Sequence, residues 1–216
     1  MAEFETEEQQ VEALKQWWAE NGRAVMLGIG LGLALIFGFR GWQGYQESVS
    51  QDASSAYTNV LESLEQDDEG EKFLGLVSEI RDDHGSSPYA AMASLAEARY
   101  QVEKNQLSEA EKALRWAIDK GSFREIVPVA KLRLARVLKA QEKHEDALGV
   151  LESVSSTAFI GHIEEIRGDI HLELGEKSQA ASAYQRARDS GSPTNSGAAL
   201  QMKIDDLAVE VKDEKS

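Results

Sequence analysis

Ala98-Arg-Tyr-Gln-Val-Glu-Lys-Asn-Gln-Leu-Ser-Glu-Ala110 recurs, in pattern more than in letter, further along the chain. Its counterparts are Ala135-Arg-Val-Leu-Lys-Ala-Gln-Glu-Lys-His-Glu-Asp-Ala147 and Gly168-Asp-Ile-His-Leu-Glu-Leu-Gly-Glu-Lys-Ser-Gln-Ala180. Small residues stand 12 positions apart at both ends of each stretch, and successive units begin 37 and then 33 residues on. A large apolar residue follows in each unit, at Leu114, Leu151 and Tyr184, and a small or medium one three positions later, at Ala117, Val154 and Ala187. The pairs Asn105-Gln106, Glu142-Lys143 and Gly175-Glu176 fall midway, where a turn belongs. Small residues at matched places let two antiparallel helices pack closely, so each unit predicts a helical hairpin.

The spacing matches the tetratricopeptide repeat, a helix–turn–helix unit of about 34 residues. The chain departs from that pattern in two places. Ser94, Lys131 and Glu164 replace its early aromatic, and Gln101, Leu138 and His171 replace the second. Pro88, Pro128 and Pro193 are expected outside helix interiors, where a missing N–H does no harm. Beyond Pro193, Leu200, Ile204, Leu207 and Val211 make one apolar stripe, predicting a final helix over 196–211 that covers the open end of the stack. Before Pro88, residues 53–64 and 72–80 predict a leading hairpin turning at Gln66-Asp-Asp-Glu-Gly70. The segment 44–52 joins it to what precedes, or simply continues the preceding helix. Alanine, leucine and glutamate abound and β-branched alternation is nearly absent, so the expected fold is all-α.

What precedes is Ala24-Val-Met-Leu-Gly-Ile-Gly-Leu-Gly-Leu-Ala-Leu-Ile-Phe-Gly-Phe39, sixteen residues without a charge between Arg23 and Arg40. As a helix it rises roughly 24 Å, short of a ~30 Å hydrocarbon core. The snorkelling stems of the two arginines and the added Gly41 and Trp42 make up the difference. Trp17 and Trp18 before it, with Trp42 and Tyr45 after it, resemble interfacial aromatic belts. A secretory leader is a poor fit, since residues 1–22 carry six glutamates against one lysine and Arg40 stands where small neutral residues are needed for cleavage. The expectation is an uncleaved signal anchor. Lys15 and Arg23 against Arg40 favour a cytoplasmic N-terminus. Gly28 and Gly32 form a GxxxG pair, through which another membrane helix can approach closely.

Residues 41–216 carry 32 acids and 20 bases. That excess repels phosphate backbones and anionic headgroups, so neither nucleic acid nor a lipid surface is an expected partner of this part. The absence of cysteine removes disulfides, thiolate metal sites and cysteine nucleophiles. His162 and Glu165 share a helix face, but no second pair with ligand spacing accompanies them, and a solvated polar face is the simpler reading. No serine stands in a nucleophile elbow. No enzyme, cofactor or metal is therefore expected. Helical stacks of this kind bind along a groove lined by their first helices. Arg99, Arg136 and Asp169 hold the same register on successive first helices, a candidate charged strip for a peptide, against the plainer reading of three solvated charges.

An acidic tail, Val11-Glu-Ala-Leu-Lys-Gln-Trp-Trp-Ala-Glu-Asn-Gly22, one glycine-rich anchor and these repeats together resemble the YfgM family of ancillary subunits of the SecYEG translocon. Leu132-Arg-Leu-Ala-Arg-Val137 and Gln201-Met-Lys-Ile-Asp-Asp-Leu207 are further echoes. The resemblance implies a bacterial inner-membrane protein with its N-terminus in the cytoplasm and its repeats in the periplasm. It implies association with the translocon and with a membrane-anchored periplasmic chaperone of the prolyl-isomerase type, and help in passing secreted polypeptides to periplasmic chaperones. An envelope scaffold organising another inner-membrane complex is the alternative. The expected layout is an acidic cytoplasmic tail (1–23), an anchor (24–42), a linker and leading hairpin (43–87), three divergent repeats (88–195), and a capping helix with a charged tail (196–216).

Overall fold

A computed structural model describes residues 7–66, 70–120, 124–191 and 197–213. The expected turn residues 67–69, Pro193, Ser196, the first six residues and the last three lie outside the described residues. Nothing but helix and turn occurs among those described. The chain divides into two compact units, residues 1–51 and 52–216.

The first unit is helical from Glu7, the start of α1 (Glu7–Gln66). Among the described residues one stretch, within Gln10–Arg40, is long and apolar enough to cross a membrane by length and composition. Its large side chains, Leu27, Leu31, Leu35 and Phe37 among them, are exposed. No soluble core covers them, which is the arrangement lipid requires. The side chains of residues 41–48, including Trp42 and Tyr45, lie outside the described residues. The segment 44–52 continues the preceding helix without a break. Its residues after Gly44 include neither glycine nor proline to end a helix.

The second unit begins with the last turns of α1 and continues through α2 (Glu71–His84), α3 (Pro88–Glu103), α4 (Leu107–Lys120), α5 (Ile126–Ala140) and α6 (His144–Glu152). A single 3-10 turn, Thr157–Phe159, leads into α7 (Ile160–Glu173), followed by α8 (Lys177–Asp189) and α9 (Gly197–Asp213). The helices α3/α4, α5/α6 and α7/α8 are the three repeat hairpins, and α3, α5 and α7 also touch in succession. First helices stacked side by side are the arrangement of a solenoid.

The recurring small residues sit at the helix contacts. Ala98, Ala110, Ala135, Ala147 and Ala180 are all buried. Gly168 is the sixth, and there a Cβ would lie 2.5 Å from the Tyr184 ring. The first two repeats pair an alanine with a leucine (Ala98 with Leu114, Ala135 with Leu151), whereas the third pairs a glycine with a tyrosine. The swap moves volume across the interface without changing its total much, which close-packed cores tolerate.

The turns share one geometry. Asn105 (φ 59°), Glu142 (φ 61°) and Gly175 (φ 75°) are left-handed residues at the same register. The next residue's N–H reaches back five positions in each case: Gln106 to the Gln101 carbonyl at 2.7 Å, Lys143 to Leu138 at 2.9 Å, Glu176 to His171 at 2.8 Å. The left-handed residue bonds three back, completing a Schellman motif in all three hairpins. Glycine and asparagine suit that conformation, while glutamate is strained in it. Glu142→Gly is therefore expected to stabilise the domain, by about 0.5–1 kcal/mol, read as a higher urea midpoint at unchanged m-value.

The positions that lack the repeat's early aromatic are filled by polar anchors. Ser94 is buried, donates to the Ala90 carbonyl at 2.9 Å and accepts from Arg81 Nε of α2 at 2.9 Å. Lys131 donates to the Ser153 carbonyl, just past α6, at 2.9 Å. Glu164 accepts from Arg186 Nε of α8 at 2.8 Å and also pairs with Arg167. Each therefore ties a first helix to a neighbour through hydrogen bonds instead of ring packing.

Pro88 opens α3 behind Ser87, whose hydroxyl accepts from the Ala90 N–H at 3.2 Å. Pro128 lies in the first turn of α5, where its missing N–H has no intrahelical partner to lose. At the far end, Leu200, Ile204 and Leu207 of α9 pack on Ala180, Tyr184 and Ala187 of α8 and cover them, while the Val211 side chain lies outside the described residues.

Candidate functional site

A cavity of about 390 Å³ opens between α3 and α5, with α4 beneath. Ala98 and Val102 of α3, Leu107 and Leu114 of α4, and Val137 and Ala140 of α5 supply its apolar wall. Arg99, Arg133 and Arg136 stand on its rim together with Glu103. The helical period brings the arginines together. Arg99 and Arg136 share a register on adjacent first helices, and Arg133 lies one turn before Arg136.

The charges are unevenly matched. Arg99 Nε donates to Glu103 Oε1 at 2.8 Å, in an exposed pair. Such a pair contributes little to stability. Among the described residues Arg133 reaches only the Leu95 carbonyl, at 3.5 Å. Desolvation pushes the Arg133 pKa down, the Arg136 and Arg99 charges push it further, and Tyr57 of α1 opposes them. Three guanidinium groups thus gather beside an apolar wall with one carboxylate among them, in a chain whose formal net charge is −15.

Asp169 does not join them. Its Oδ1 accepts from the Tyr184 hydroxyl at 2.7 Å and from Lys203 Nζ of α9 at 2.6 Å. Lys203 Nζ also lies 5.3 Å from the centre of the Tyr184 ring. Burial and the Asp169 carboxylate push the Tyr184 phenol far above its ordinary pKa, so it stays a hydrogen-bond donor. The third position of the expected strip thus fastens the capping helix. Arg133, which the register comparison passed over, takes the third place in the groove. Its spacing of three from Arg136 is the signal that would have found it.

The remaining candidates are separate. A Cβ on Gly28 or Gly32 would meet nothing within 4 Å. His162 packs edge-on to Phe159 with ring centres 6.3 Å apart, and Lys203 lies 3.5 Å from the buried Glu165 carboxylate. No cluster of three or more histidine, cysteine, aspartate or glutamate side chains fit to hold a metal occurs among the described residues.

Stacked hairpins with a capped end define a tetratricopeptide-like domain. The sequence model of a tetratricopeptide repeat-like domain matches residues 15–209. The chain is 31% identical to the "Ancillary SecYEG translocon subunit" of Escherichia coli K12, covering 95% of this chain and 98% of that one. It is 30% identical to the protein of that name from Haemophilus influenzae, over 93% and 97% of the two chains. The Neisseria gonorrhoeae protein of that name is 24% identical, over 96% and 100%. The chain belongs to this family of ancillary translocon subunits, the YfgM family.

Proposed function

We propose that this chain is a membrane-anchored, protein-binding subunit associated with the Sec translocon, helping to transfer secreted polypeptides to periplasmic chaperones. A membrane-anchored chaperone of the prolyl-isomerase type is the proposed receiving partner. The observation that carries this reading is the end-to-end likeness to ancillary translocon subunits, in a chain joining one membrane-length helix to a repeat domain. In this reading residues 24–42 cross the bacterial inner membrane, residues 1–23 lie in the cytoplasm, and the repeats over 88–195 stand in the periplasm. Gly28 and Gly32 offer the span a face for a neighbouring membrane helix. The repeat domain supplies the binding surface, at the α3/α5 groove where Arg99 and Arg136 meet.

Site-specific photocrosslinkers placed at Val102 and Ala140 of the full-length protein test the hand-over. Arrested secretory chains emerging from the translocon are expected to label from these positions. Translocon co-purification without any such label would instead favour a scaffold that organises an inner-membrane complex and never touches clients.

A further inference from the structure

We infer that the α3/α5 groove selects acidic, apolar peptide segments, with Arg133 and Arg136 as the residues that read the carboxylates. The inference rests on the protein-binding reading above and adds the chemistry of what is bound. The chain as a whole is acidic, with 38 acids against 23 bases, yet here three guanidinium groups share one apolar-walled cavity. Arg99 has a carboxylate partner in Glu103, while among the described residues Arg133 holds only a long bond to a backbone carbonyl.

Like charges beside apolar surface repel one another in a medium that screens poorly, and an arriving carboxylate relieves that repulsion. Guanidinium groups also bind carboxylates through paired, directed hydrogen bonds. The wall of Val102, Leu107 and Val137 calls for an apolar side chain beside the acid. A volume of about 390 Å³ admits one or two side chains and not a folded element. A peptide is favoured over an anionic lipid surface because residues 41–216 as a whole, with 32 acids and 20 bases, are repelled by such a surface.

The test uses full-length protein in nanodiscs of zwitterionic lipid, with fluorescence anisotropy as the readout. The probe is a short fluorescein-labelled peptide alternating Glu with Leu, set beside its isostere alternating Gln with Leu. The Glu peptide is expected to bind about tenfold or more tighter than the Gln peptide. The double variant Arg133→Gln, Arg136→Gln is expected to erase that difference, while Arg133→Lys, Arg136→Lys retains most of it. Lys112→Gln, on the exposed surface of α4, should change nothing. Thermal melts of each variant show whether a loss reflects unfolding, and the lysine variants keep the test decisive if the glutamine pair melts early.

Equal binding of the two peptides, or an undiminished preference in the glutamine variant, would overturn the inference. So would displacement of the Glu peptide by phosphatidylglycerol vesicles, which would assign the groove to lipid. Co-purification of the translocon with wild-type protein, measured in parallel, separates the two levels. Its presence without peptide discrimination sinks only this inference, and discrimination without it sinks only the translocon assignment.

Discussion

Arg81→Met is expected to destabilise the repeat domain by about 3 kcal/mol or more, since removing one partner of a largely buried ion pair strands the other. Arg81 on α2 and Glu97 on α3 face each other with side chains only 18% and 15% exposed. The Arg81 guanidinium also lies 5.0 Å from the centre of the Trp116 ring on α4 and donates to Ser94. One side chain thus fastens the leading hairpin to both helices of the first repeat. Burial pushes the Glu97 carboxyl above its ordinary 4.5, Arg81 opposes that shift, and Glu109 adds to it.

A carboxyl whose folded pKa exceeds its unfolded value favours folding while protonated and loses that contribution as pH rises through the folded pKa. Without Arg81 the folded value climbs further. The defect of Arg81→Met should therefore be largest near neutral pH and shrink as pH falls toward 4.5. Adding Glu97→Leu should recover most of the loss at neutral pH, because an apolar pair of similar volume replaces two buried charges at little cost. Urea titrations of the three proteins at neutral and mildly acidic pH check both statements. A single variant as stable as wild type at neutral pH would remove the pair from the account.

The second large effect lies in the third repeat. Gly168→Ala places a methyl group 2.5 Å from the Tyr184 ring, which is fully buried and cannot swing aside. Overpacking of this kind costs about 1–3 kcal/mol. Tyr184→Leu alone should also destabilise, by leaving a void beside Gly168 and removing the hydroxyl that donates to Asp169. The double variant rebuilds the alanine–leucine pairing of the first two repeats and should be more stable than the sum of the single losses predicts. A coupling of about 0.5–3 kcal/mol is expected for residues in direct contact. Additive losses in a thermal or urea melt would show that the third repeat is not packed like its neighbours.

The period was legible because it is written in small residues. A helix contact admits nothing larger, so Ala98, Ala135 and Gly168 recur where the helices touch. The turns were legible as places, at Asn105, Glu142 and Gly175. That all three are left-handed was not, since glutamate carries no sign of that conformation. Nor did the missing aromatics reveal their replacements. Ser94, Lys131 and Glu164 find partners 13 to 22 positions away along the chain, on another helix or just past its end, and repeat register carries no information on where a long side chain reaches. The same limit explains the groove. Register alone aligned Asp169 with Arg99 and Arg136, but Lys203 arrives from α9 to take that carboxylate, while Arg133 lies in a column the repeat does not mark.

In the proposed reading one apolar helix anchors a stack of binding hairpins in a bilayer. Alkaline carbonate extraction of the full-length protein from inner-membrane vesicles tests it most directly, because high pH strips peripheral proteins and leaves integral ones. The whole population is predicted to stay with the sedimented membranes, as an inserted apolar helix demands. Release of the intact chain into the supernatant would contradict the anchor, and with it the compartment and the partners proposed from it.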